Sequence, residues 1–114
     1  MVENMTQTGN PPAGEQRIVV TPPPGLPRQL VVDYIGRCRE SARALRTAVQ
    51  GADYGQAGIL GHRLKGTGCS YGFPELTETG AAIERAAQQQ AAAELQTALG
   101  RLEGYLRAVE VAPV

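Results

Sequence analysis

The sequence predicts an all-α domain with an irregular N-terminal extension, and three observations predict it. Four stretches between Pro27 and Val109 place apolar residues at three- and four-residue steps, the period of a helix with one face in a core. Glycine and proline punctuate the chain between the first three of them, at Gly51 and at Gly72 with Pro74. A length of 114 residues, 42% hydrophobic and 19% charged, suits one compact domain with one modest core.

Residues 1–16 mix Asn, Gln, Thr, Gly and Pro without a period and are expected to be a disordered leader. Residues 17–26 begin with a short apolar piece, Arg17-Ile18-Val19-Val20-Thr21, after which Pro22-Pro23-Pro24-Gly25 imposes polyproline or turn geometry. Ile18 and Val19 either strap against the domain or stay disordered with the leader. The helical domain spans 27–110. Its first helix starts at Pro27, a good first-turn residue, and runs to about Gln50 with the stripe Leu30, Tyr34, Cys38, Ala42, Leu45 and Val49, widened by Val31 and Ile35. Arg37, Arg39, Arg43 and Arg46 make its outer face basic, the ordinary state of a solvated helix surface.

Gly51 ends that helix, and Asp53 with Gln56 forms a capping pattern for the next, about Tyr54 to Tyr71. Its stripe is Ala57, Leu60, Leu64, Thr67 and Tyr71. Gly72 stops it, and Pro74 opens a third helix with Glu75 at its positive end and Leu76, Gly80, Ile83 and Ala87 inside. Leu95, Leu99, Leu102, Leu106 and Val109 stripe a fourth helix. The connection Gln88 to Ala92 has helical propensity throughout, yet a compact monomer needs a turn there; an unbroken helix would complete the fold by exchange in a dimer. Pro113 closes the pattern, leaving residues 111–114 as a short tail.

Composition excludes several function classes. Eleven basic and 11 acidic residues give no net field, and no basic stripe with interleaved aromatics is present, so nucleic acid is not an expected partner. No apolar run is long enough to span a membrane, and the N-terminus lacks a secretory pattern, so no membrane is expected and the chain is placed in the cytoplasm. Two cysteines in helical patterns, Cys38 and Cys69, read as reduced thiols; with one histidine and no cysteine pair, a metal site is not expected.

The chemistry concentrates in Gly61-His62-Arg63-Leu64-Lys65-Gly66-Thr67-Gly68-Cys69-Ser70-Tyr71-Gly72-Phe73-Pro74-Glu75-Leu76. His62, the single histidine, lies opposite the apolar stripe and therefore faces water. A helix-interior glycine costs about 1 kcal/mol relative to alanine, and this helix carries several, which calls for an offsetting role. Gly58 and Gly66 lie one turn either side of His62 and clear its flanks for another molecule. Lys65 falls beside the imidazole, where its ammonium meets an anion carried on the ring. A solvent-facing imidazole with a neighbouring cation suits a phosphoryl acceptor. By periodicity alone Glu84 is an ordinary exposed glutamate at the edge of the third stripe. No nucleophile elbow or phosphate-cradling loop is present, since Lys65 precedes Gly66 in the wrong order for a P-loop.

His62-x-x-Lys65-Gly66, followed by Tyr71-Gly72-Phe73-Pro74-Glu75-Leu76 and then Ile83-Glu84, resembles the histidine-containing phosphotransfer (HPt) domain of bacterial two-component phosphorelays. The resemblance is strongest over residues 55–87 and extends to about 26–109. It implies an antiparallel, up-down-up-down four-helix bundle whose histidine takes a phosphoryl group from a receiver-domain aspartate and gives it to another. It also implies no nucleotide-binding, kinase or phosphatase machinery in the chain, no cofactor of its own, and Mg²⁺ only on the partner receiver. Partners are then response-regulator receiver domains and a (hybrid) histidine kinase. The matching positions make His62 the phosphorylated residue, Lys65 its electrostatic neighbour, Glu84 the hydrogen-bond partner of the imidazole, and Gly66 the small residue under the docked receiver. Gly58, Arg63, Thr67 and Cys69, with Glu78 at the margin, complete the expected docking surface. The alternative is a helical interaction module that binds a receiver or histidine kinase without accepting phosphate.

Overall fold

The computed structural model describes residues 17–113; the expected leader, residues 1–16, and Val114 of the expected tail lie outside the described residues. Four helices form a bundle: α1 (Arg28–Gln50), α2 (Tyr54–Thr67), α3 (Pro74–Gln88) and α4 (Ala92–Ala108). Short turns reverse the chain after each helix, so neighbours run antiparallel; α1 and α3 each pack on both α2 and α4, and α2 against α3 is the most extensive contact. The four stripes meet in one core, with Phe73, Leu45, Leu76, Ile83, Leu95, Leu99, Leu102 and Val31 fully enclosed.

Three stripe positions, Leu30, Val49 and Thr67, differ from expectation. Leu30 is 49% exposed, because on α1 it lies about 100° round from Val31, which points into the core, and Ala48 rather than Val49 is fully buried. Thr67 is exposed; its hydroxyl donates to the Arg63 carbonyl at 2.9 Å and accepts from Tyr34 Oη at 2.8 Å. Tyr34 in turn stacks on Tyr71, with ring centroids 4.1 Å apart.

The turns after α1 and α3 share one solution. In each, the residue that enters the left-handed region is not glycine: Ala52 at φ 53° and Gln90 at φ 50°. The next amide reaches back five residues (Asp53 to Ala48 O, 2.8 Å; Ala91 to Ala86 O, 2.9 Å) and the left-handed residue's amide reaches back three (Ala52 to Val49 O; Gln90 to Ala87 O), which satisfies the last carbonyls in a Schellman motif. Gly51, expected to end α1, sits one residue early at φ −91°. Asp53 then caps α2, its carboxylate accepting from the Gln56 amide at 3.0 Å.

α2 also ends earlier than Tyr71. Beyond Gly68 the chain tightens into a 3₁₀ turn, Cys69–Tyr71, because the Cys69 amide turns to Thr77 Oγ1 on α3 at 2.8 Å instead of continuing the helix ladder. Gly72 leaves the turn at φ 93°, a conformation that favours glycine, with Pro23 of the N-terminal extension packed against it.

The extension forms a strand, β1 (Ile18–Val20), paired in parallel with β2 (Val109–Val111) in the register Ile18↔Val109, Val19↔Glu110, Val20↔Val111. Val109–Val111 was expected as helix and free tail. Instead the helix stops at Ala108, and the guanidiniums of Arg39 and Arg28 take carbonyls in its last turn and beyond it: Arg39 binds Leu106 O at 2.9 Å, Arg28 binds Ala112 O at 2.8 Å. Arg17 and Glu110 join across the pair at 2.6 and 2.7 Å. Ile18 and Val19, for which strapping against the domain and disorder were both open, lie in β1 at 39% and 61% exposure; Val20 and Leu26 are the residues of the extension that pack against the core. No helix among the described residues is long and apolar enough to cross a membrane.

Candidate functional site

The site is made by a backbone-to-backbone contact between α2 and α3. A Cβ on Gly80 would lie 2.5 Å from Lys65 N and 2.7 Å from Gly61 O, and one on Gly61 would lie 2.8 Å from Glu84 N and from Ile83 Cγ2. Gly68 extends the seam, with a Cβ there 2.6 Å from Thr77 N. These glycines let the helices approach to a distance that side chains forbid, and the gain in packing offsets their cost of about 1 kcal/mol each in helix propensity. The residues that flank the seam are His62, Lys65 and Glu84.

Glu84 bridges the two α2 side chains: His62 Nδ1 lies 2.9 Å from Oε2, and Lys65 Nζ donates to Oε1 at 3.0 Å. Its side chain is 17% exposed, against 68% for His62 and 48% for Lys65. The Lys65 ammonium holds the Glu84 carboxyl below the usual carboxylate range, with the His62 hydrogen bond adding to that effect against the partial burial that opposes it. At neutral pH Glu84 is therefore an acceptor only, so Nδ1 carries the proton it shares, and in the neutral ring Nε2 is the nitrogen with the free lone pair. Fixing the tautomer and turning the other nitrogen outward is the standard use of a carboxylate behind a functional imidazole.

Gly66 is open, with nothing within 4 Å of a Cβ built there, while one on Gly58 would only touch Ala87 Cβ at 3.6 Å. Gly58, Arg63 and Glu84 join His62 around a groove of about 550 Å³ that Ile59 and the end of α3 wall in. Arg63 and Thr67 also border a second cleft, of about 310 Å³, between α1 and α2. Cys69 is exposed but lies beyond α2 on the 3₁₀ turn, and Glu78 faces Arg101 at 3.4 Å on the α3–α4 side, apart from His62. Sequence reasoning passed over Ile59, 50% exposed and three residues before His62. An apolar side chain on the polar face of α2 was the signal that could have found it. Among the described residues no group of three or more His, Cys, Asp or Glu is placed to hold a metal ion.

An imidazole so arranged, 68% exposed with a carboxylate behind one nitrogen, has the features of a nucleophile set on an open surface. The family model of the Hpt domain matches residues 29–112. No curated protein and no solved structure matches the chain. The matched stretch takes in all but the first residue of α1, the whole of the other three helices, and the strand β2, and the chain belongs to the Hpt domain family.

Proposed function

We propose that His62 is the phosphoryl carrier of this domain, accepting from the aspartyl phosphate of one receiver domain and donating to the aspartate of another. Membership of the Hpt family gives the broad role, a carrier in two-component phosphorelay signalling that is neither kinase nor phosphatase. The observation that supports the finer reading is the Glu84 bridge, which holds Nδ1 of the exposed His62 and, in the neutral ring, puts the free lone pair on Nε2.

In the forward step the Nε2 lone pair attacks phosphorus in line. The N–P bond forms, the acyl phosphate O–P bond breaks, and its electron pair returns to the receiver's aspartate as a carboxylate. Nδ1 keeps its proton and its bond to Glu84, so the positive charge that develops on the ring faces a carboxylate. Lys65, beside the ring, offsets charge on the phosphoryl oxygens, and Mg²⁺ supplied by the receiver does the rest. The reverse step uses the same groups, which is what a carrier needs. Gly58 and Gly66 keep the approach to Nε2 free of side chains. A (hybrid) histidine kinase upstream and a location in the cytoplasm belong to the same proposal.

The test is incubation with a panel of phosphorylated receiver domains, followed by assay for protein-bound phosphate that is labile in acid and stable in base. Transfer to the wild type and none to His62→Gln supports the carrier reading. Receivers that bind but never charge the wild type would replace it with a docking module that takes no phosphate.

A further inference from the structure

Two arginines of the α1–α2 cleft make no ion pair among the described residues. Arg63 follows His62 on α2, Arg37 lies on α1, and both border the cleft together with Ser41, Thr67 and Tyr71. Among the described residues neither guanidinium has a carboxylate within ion-pair distance, whereas Arg17, Arg46 and Arg101 each pair with glutamate and Arg28 and Arg39 bind main-chain carbonyls. Arg43 and Arg107 share the groove between α1 and α4, but Glu103 already lies in it. The cleft beside His62 holds no acid at all.

The Arg37 side is held in place. Its guanidinium carbon lies 5.9 Å from the centroid of the Tyr34 ring, and Tyr34 is fixed by its stack on Tyr71 and its hydrogen bond to Thr67. Such a contact holds an arginine over the ring while leaving its donors free. A guanidinium fixed in this way loses less freedom when it meets a carboxylate than one that must be ordered on binding. On the other side of His62 the groove lined by Gly58, Ile59 and Ala87 holds the Glu84 carboxylate, which Arg63 at its border does not pair with, whereas the α1–α2 cleft is lined by no acid. The two flanks of the imidazole therefore present unlike chemistry to anything that docks over it.

We infer that the Arg37–Arg63 cleft is a specificity element that reads an acidic side chain on the rim of the receiver's docking surface, selecting among receivers before the phosphoryl group moves. The inference rests on the proposed function, since it names a feature of the partner that His62 serves. Complementary charge at the edge of a transient interface acts mainly on the rate of encounter and on the rejection of wrong partners. Receivers with a carboxylate at that place dock quickly, and receivers with a lysine there are turned away.

The experiment compares charging of His62 by two donors, a phosphorylated receiver and the small phosphodonor phosphoramidate, in wild type, in Arg37→Glu/Arg63→Glu, in Arg37→Gln/Arg63→Gln and in Arg43→Glu. The expected result is a fall of about tenfold or more in the ratio of receiver-driven to phosphoramidate-driven charging for the double glutamate variant at low salt. The loss is smaller for the glutamine pair, absent for Arg43→Glu, and narrowed as salt rises. A receiver in which one rim carboxylate is changed to lysine recovers transfer to the double glutamate variant. An unchanged ratio, an equal fall for Arg43→Glu, or no receiver whose charge swap recovers transfer overturns the inference. If phosphoramidate charges His62 and no receiver does, the proposed function fails and the inference with it.

Discussion

Gly80→Ala tests whether the α2–α3 seam builds the site. The added methyl meets Lys65 N at 2.5 Å, Gly61 O at 2.7 Å and Leu64 Cβ at 2.8 Å, where ordinary contact begins at 3.4 Å, so the helices must part by several tenths of an ångström or more. Two of those atoms are backbone, and no rotamer change relieves them. Overpacking of this kind costs about 1–3 kcal/mol, occasionally more, and rigid backbone on the far side places this case at the upper end. The better helix propensity of alanine returns about 1 kcal/mol. A net loss of about 2 kcal/mol is expected, read as a lower midpoint in urea unfolding and a Tm about 10 °C lower for a domain of this size. Gly100→Ala is the matched control: nothing lies within 4 Å of its Cβ, so it should stabilise by about 0.5–1 kcal/mol. Because Gly80 also sets the spacing between α2 and α3, Gly80→Ala should loosen the Glu84 bonds to His62 and Lys65. A Gly80→Ala protein as stable as Gly100→Ala would refute the reasoning.

Further predictions concern the turns, the tyrosine contact and Glu84. Ala52→Gly and Gln90→Gly each relieve a left-handed residue that carries a Cβ and should each stabilise by about 1 kcal/mol in the same unfolding assay. Tyr34→Phe deletes the hydrogen bond to Thr67 and should cost about 1 kcal/mol by urea titration while leaving the stack on Tyr71 in place. Glu84 has its folded pKa below the ordinary 4.5, so the unfolded chain binds the proton more readily; its contribution is present above that value and disappears as pH falls through the folded pKa. Stability measured on descending from pH 6 to pH 3 should therefore fall less steeply in Glu84→Gln than in the wild type. Glu84→Ala should also slow charging of His62 by a receiver about tenfold or more by removing the acceptor that holds Nδ1.

The helices were legible because their signals are local. Stripes at helical spacing, Pro74 at a first turn and Asp53 three residues before Gln56 all act within a few positions of the chain, and each corresponds to a feature of the fold. What was not legible depends on residues far apart in sequence. Ile18-Val19-Val20 and Val109-Glu110-Val111 are each rich in β-branched residues, but three residues make no strand alone, and β2 exists because β1 pairs with it and Arg28 and Arg39 of α1 bind the Val111 and Val109 carbonyls. The turn at Gln89–Gln90 has no glycine to announce it; its carbonyls are satisfied by a Schellman motif on a glutamine. Within the site, His62 and Lys65 were legible from the face they share, whereas the contact of Glu84 with both of them rests on Gly61 meeting Gly80 across two helices. Spacing alone singles out Gly58 and Gly66, where a Cβ meets nothing closer than 3.6 Å, but not Gly61 and Gly68, which serve the seam.

The chain has one histidine, so nitrogen-15 labelling of that residue reports on a single ring. The measurement is a long-range proton–nitrogen correlation spectrum recorded before and after charging by a phosphorylated receiver. The account predicts a ring protonated on Nδ1 beforehand and, afterwards, a phosphorus coupling on Nε2 with the Nδ1 proton retained. A coupling on Nδ1, or a ring unchanged after the receiver has lost its phosphate to the protein, would contradict it.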